Sequence, residues 1–107
     1  MNLGRIGVRT RFMLFMVIEC FKPGKGDEVG SRFKTHGRMM PAGVSYHGSW
    51  LVPTSGKCFQ VMEAAGRGPI DEWISHWSDL VDFEVIPVVT SAEYWKMKEG
   101  QASTHSA

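Results

Sequence analysis

Residues 12–21, FMLFMVIECF, are apolar on both faces of an extended chain except at Glu19, and the Lys-Pro-Gly-Lys-Gly that follows stops the run. A strand of this kind belongs inside a sheet, and each of its two faces has to be covered by something. That requirement governs the rest of the reading. The stretch is too short to span a bilayer, which takes about 20 residues. No small-residue cleavage site accompanies it, so neither a membrane span nor a signal peptide is expected. With 107 residues, 43% of them hydrophobic, the chain has material for one core.

The other segments declare themselves by period. From Asp27 onward, Val29, Phe33, His36 and Met40 recur at helical spacing, with Asp27 placed to cap and Gly37 to stop. VSYHGSWLV (44–52) and KCFQVMEA (57–64) read as strands joined by Pro53-Thr54-Ser55-Gly56, a hairpin. GPIDEWISHWSDLV (68–81) is the clearest helix, with Ile70, Trp73, Ile74, Trp77, Leu80 and Val81 on one stripe and Asp71 and Glu72 at its positive end. Its indoles are read as packing residues. DFEVIPVVT (82–90) is a last strand, and TSAEYWKMKEG (90–100) a terminal helix opened by a Thr90/Glu93 capping box. Residues 1–11, carrying Arg5, Arg9 and Arg11, read as a disordered basic arm, residues 12–100 as the folded domain and residues 101–107 as a flexible tail.

The order strand, helix, strand, strand, helix, strand predicts an α+β, ferredoxin-like βαββαβ fold with a four-stranded antiparallel sheet in the order 4-1-3-2. Pro87 fits that order, because proline is tolerated on an edge strand and the fourth strand is at an edge. Two helices cover only one face of such a sheet. Giving them the sets without polar residues (Leu14, Met16, Ile18 and Cys20; Phe59 and Val61; Phe83, Val85, Pro87 and Val89) leaves a second, open face. That face would hold Glu19, Gln60 and Glu84 among Phe15, Val17, Met62, Ile86 and Val88. Pairing Val52 with Lys57 across the turn adds Ser49, opposite Gln60, and His47, opposite Met62.

An open face of about 400 Å², mostly apolar, is near the size at which exposed patches signal a partner. The expected partner is a second copy about a two-fold axis, two sheets enclosing a barrel-like space lined by the polar groups. Antiparallel pairing places Glu19 beside Glu84, where mutual repulsion would raise one pKa and provide a proton acceptor, with His47 as donor or orienting group. The plainer alternative is that both carboxylates reach water or pair with Lys22 or Lys57.

MLFMVIECF, GRMMPAGVSYHGSW, CFQVMEA and DEWISHWSDLVDFEVIPVVTSAEYW, spanning Met13 to Trp95, resemble a small bacterial family of unknown function placed in the dimeric α/β-barrel superfamily. The resemblance implies a ferredoxin-like homodimer and implies no reaction. Wider relatives include antibiotic-biosynthesis monooxygenases, haem-degrading enzymes and muconolactone-isomerase-like proteins, which hold small organic ligands between helices and sheet or inside the barrel. No motif of theirs occurs here, so no catalytic residue is carried over.

Other chemistries find little support. The four histidines form no HxH or HxxxH spacing and Cys20 and Cys58 no CxxC, so no metal, redox or disulfide site is expected. A net charge of +1 with interspersed signs gives no field for nucleic acid or anionic lipid. No serine sits in a nucleophile elbow and no glycine cluster in a phosphate loop. Arg38, after Gly37, is placed to hold an anion at a pocket mouth or to fix its loop. Two functions stay open: a cytoplasmic homodimeric module, structural or binding a small apolar or aromatic molecule, and a cofactor-free enzyme acting on such a molecule through Glu19 or Glu84 and His47.

Overall fold

The computed structural model describes the backbone of residues 12–106 and the side chains of residues 12–100, and the expected basic arm at 1–11 lies outside the described residues. The elements run β1 (Met13–Phe21), α1 (Gly26–His36), β2 (Ser45–Val52), β3 (Lys57–Ala64), α2 (Arg67–Ser75), β4 (Val81–Val88) and α3 (Ser91–Ser106). The four strands form one antiparallel sheet in the order β2-β3-β1-β4. This is the expected order read from the other edge, an α+β arrangement compatible with a ferredoxin-like fold. Pro87 lies on the edge strand β4, where its missing N–H interrupts no further ladder.

The turn at 53–56 fixes the hairpin register, Val52 opposite Lys57 and Ser49 opposite Gln60, as the sequence predicts. One step further the register breaks. Tyr46, not His47, lies opposite Met62 and Gly48 lies opposite Val61, so His47 is the extra residue of a bulge. A Cβ on Gly48 would be crowded there, standing 3.1 Å from Cη2 of Trp50, whose ring lies across it.

The face assignment made from strand composition is corrected for β1 and β3. The helices cover Phe15, Val17, Glu19, Gln60, Met62 and Ala64, all buried, together with Phe83 and Val85 of β4. Leu14, Met16, Ile18, Cys20, Phe59 and Val61 face the other way, beside Glu84, Ile86 and Val88. The physical reason is a partial pairing of the two polar groups. Glu19 and Gln60 lie on adjacent strands of one face, and the Gln60 amide Nε2 donates to the Glu19 carboxylate, so the covered face tolerates both.

The helices differ in how firmly they sit. α1 has no side-chain N-cap, Asp27 and Glu28 falling instead in its first turn, and it stops at Gly37 with φ 68°. No residue of α1 is fully buried, and His36, expected at the core edge, is exposed. α2 ends at Ser75, earlier than its apolar stripe suggested, because the chain tightens into turns: Trp77 N–H donates to Ile74 O and Leu80 N–H to Trp77 O. Trp77 and Leu80 are still buried, delivered from turns rather than from helix. α3 opens with the predicted reciprocal capping box, Glu93 N–H to Thr90 Oγ1 at 3.0 Å and Thr90 N–H to Glu93 Oε1 at 3.3 Å. Its backbone stays helical through Ser106, past the expected end at Gly100, whose cost of about 1 kcal/mol relative to alanine does not suffice to stop a capped helix.

Two clamps hold the helix layer together. Arg32 of α1 grips Asp79 through both guanidinium nitrogens at 2.8 Å and also donates to His76 O at 2.9 Å. Trp73 and Trp77 both donate their indole N–H to the carbonyl of Arg38, at 2.9 and 3.0 Å. Replacing either indole by phenylalanine is expected to cost about 0.5–1.5 kcal/mol for the lost hydrogen bond. The double variant should lose more than the sum, since only then is the Arg38 carbonyl left unpartnered. Urea denaturation of the two single variants and the double variant measures this, and strict additivity would contradict it.

Candidate functional site

Between the helix layer and the sheet lies a half-open cavity of about 100 Å³, lined by Glu19, Val29, Phe33, Arg38, Cys58, Gln60, Trp73 and Trp77. Its floor is the sheet and its walls come from both helices. Neighbouring strands bring Glu19, Cys58 and Gln60 together: Glu19 is opposite Cys58 and Val17 opposite Gln60. α1 contributes Val29 and Phe33, and α2 with its following turn contributes the two indoles.

Arg38 is placed by its own backbone. The chain turns through Gly37 and then Met39, which holds φ 59°, and this directs the Arg38 carbonyl to the two indoles while its side chain runs to β2. There Nη2 donates to Tyr46 Oη at 2.9 Å and to Ser49 Oγ at 3.3 Å, and the guanidinium stacks 3.9 Å from the Tyr46 ring centroid. Tyr46 Oη and Ser49 Oγ are themselves 2.6 Å apart. The remaining guanidinium nitrogens, Nε and Nη1, have no hydrogen-bond partner among the described residues.

Two features make the floor chemically unusual. Burial lifts the Glu19 carboxyl from its ordinary 4.5 to about 7, against the lowering influence of the Gln60 hydrogen bond and the Arg38 charge. Gln60 is 3% exposed, and its Oε1 has no hydrogen-bond partner. Leaving a buried amide oxygen unmatched costs about 1–3 kcal/mol, so such an atom calls for an explanation. Beside it the Cys58 thiol is pushed up, first by burial and then by the Glu19 charge.

The residues singled out from sequence divide between the two faces. Glu19, Gln60 and Arg38 line this pocket, Ser49 is tied to it through Arg38, and Phe15, Val17 and Met62 are buried on the same covered face. His47 and Glu84 are separated from it. Bulging turns His47 to the open face, where Nε2 lies 3.0 Å from Glu63 Oε1, and Glu84 is opposite Ile18 on that face. The expected Glu19–Glu84 neighbourhood is therefore corrected: Glu19 is opposite Phe83, one residue away from Glu84, which places the two carboxylates on opposite sides of the sheet. Strand reasoning missed Tyr46, Cys58 and the indoles as site residues. The Trp73/Trp77 spacing was visible, but nothing in it told a pocket wall from a core stripe. Cys20 and Cys58 are free thiols on opposite faces, and among the described residues no cluster of three or more His, Cys, Asp or Glu is arranged to hold a metal ion.

The model of one family, described as domain of unknown function (DUF3303), matches residues 13–102. The chain belongs to this family. The match runs from the first residue of β1 into α3 and so includes every residue of the pocket. No curated protein and no solved structure matches the chain.

Glu19 links folding to pH with a definite sign. Its folded pKa lies above the unfolded one, so the folded state holds the proton more tightly; the resulting stability is complete below pH 4.5 and is lost as pH rises through about 7. The loss is expected to be on the order of 3 kcal/mol at most. Glu19→Gln should flatten the stability profile across that window and exceed the parent chain in stability above it. Denaturation midpoints from pH 4 to 8 test this, and parallel profiles would refute it.

Proposed function

We propose that this chain is a homodimeric small-molecule-binding module of the dimeric α/β-barrel type, whose ligand enters the pocket between the helices and the sheet. The observation that carries the reading is the unmatched Gln60 Oε1, a buried acceptor on the floor of a cavity walled by aromatic rings. A ligand donor supplies the missing hydrogen bond, and the rings supply dispersion and apolar burial.

Dimerisation is supported by the open face. Leu14, Met16, Ile18, Phe59 and Val61 are not fully buried, and Trp50 and Ile86 are exposed beside them. α3 stands off this face across a groove of about 840 Å³ and carries Trp95 and Met97 exposed. The sheet alone offers about half of the roughly 800 Å² per partner of a standard interface. The exposed side chains of α3 provide the remainder, and a second copy supplies a surface of the same chemistry. No helix among the described residues is long and apolar enough to cross a membrane. Two free cysteines suit a reducing compartment, and we place the protein in the cytoplasm on that basis.

One observation favours a second reading, a cofactor-free enzyme. A carboxyl titrating at about 7 in the lining of a half-open pocket is poised to take a proton from a bound molecule at neutral pH. In that reading Glu19 is the proton acceptor, and His47 and Glu84, on the other side of the sheet, take no part. Turnover of a candidate substrate that persists undiminished in Glu19→Gln would exclude it.

Sedimentation equilibrium at micromolar concentration is expected to report a dimer, and Met16→Glu, which puts a charge at the centre of the open face, to shift it to monomer with helix content retained. A parent chain that sediments as a monomer would reject the dimer. For the pocket, a thermal-shift screen of single-ring compounds should raise the melting temperature of the parent chain and leave Gln60→Leu unmoved.

A further inference from the structure

The pocket is asymmetric, and that asymmetry restricts what fits it. At its floor Gln60 is locked: Nε2 is engaged by Glu19, so the amide is held with Oε1, an acceptor, as its free end. A group seated there has to donate. At the rim Arg38 is half-buried, with Nε and Nη1 unused, and its charge is balanced by no salt bridge among the described residues. A group seated there has to accept, and an anion is favoured. Phe33, Trp73 and Trp77 supply the aromatic part of the lining, which favours a flat apolar body.

The volume sets the size. An enclosed apolar cavity of about 150 Å³ takes a benzene-sized ring. This one holds about 100 Å³ and opens at the Phe33 side, where that ring is exposed. Smaller than that, it does not enclose a whole ring: one ring enters in part, end-on through the open side, with its outer substituent at the rim.

We propose that the pocket selects a single-ring planar acid bearing an O–H or N–H donor, seated donor-first on Gln60 Oε1 with its carboxylate at the Arg38 guanidinium. This rests on the binding reading above and deepens it by naming the ligand's chemistry. It also gives binding a pH sense. The charged and titratable groups that face Glu19 are Arg38 and Cys58, while α1, α2 and β4 present only Val29, Phe33, the two indoles, Phe83 and Val85. An incoming carboxylate meets less repulsion when Glu19 is protonated, so affinity falls as pH rises through about 7.

Titration of the full-length protein, followed by tryptophan fluorescence and calorimetry, with 4-hydroxybenzoate, benzoate and phenol separates the contributions. We expect 4-hydroxybenzoate to bind about tenfold or more tightly than either of the other two at pH 6, since each lacks one of the two polar contacts. Gln60→Leu should erase its advantage over benzoate but not over phenol, and Arg38→Gln its advantage over phenol but not over benzoate. Benzoate or phenol binding as tightly as 4-hydroxybenzoate overturns this ligand class while leaving a binding pocket in place. If none of the three binds to the parent chain, the ligand class falls, and the thermal-shift screen above decides separately whether the binding reading stands. The comparison among ligands on the parent chain stands by itself should either variant fail to fold.

Discussion

The central strand β1 has side chains to bury on both faces, while the chain covers only one of them with helices. Everything specific about this fold follows from how that imbalance is resolved. The helix layer takes the face that contains a carboxylate and an amide, and the hydrogen bond between the two offsets part of the cost of burying them. The more apolar face, which carries Glu84, Glu63 and His47 among its hydrocarbon side chains, is left outward. Helices thus sit where polar chemistry needs enclosure, and the greasy side becomes available for association.

Much of this was legible from residues alone. Strand order, the hairpin register from Val52 and Lys57 to Ser49 and Gln60, the edge position of Pro87 and the Thr90/Glu93 cap all follow from local patterns with direct physical causes, and all are present. What misled was the rule that helices take the face without polar groups. It weighs each residue singly, whereas the free energy of burying Glu19 depends on Gln60, 41 positions away, and on Arg38 nearby. His47 escaped for another reason: the alternation of β2 is counted correctly from the turn, but a bulge resets it, and neither Tyr46 nor Gly48 announces one beyond the presence of a glycine.

Arg38 ties the parts together. Its carbonyl collects two indoles, one from the second helix and one from the turn after it, its guanidinium stacks on the Tyr46 ring of the edge strand β2, and its charge reaches the buried carboxylate. The loop after α1 therefore connects both helices to the far edge of the sheet at the mouth of the cavity. A helix as shallow as α1, with no fully buried residue, depends on such ties and on the Arg32–Asp79 fork. The pocket is accordingly built against the less anchored of the two covering helices, where small adjustments of a wall are least costly.

Gly48 carries an implication for the outer surface. With no side chain there, the Trp50 indole lies down across the β2 backbone, within 3.1 Å of where a methyl group would be. The ring therefore adds breadth to the exterior without adding height. A methyl group at position 48 would crowd the exposed indole by a few tenths of an ångström, so how flat the ring lies is set by the residue beside it.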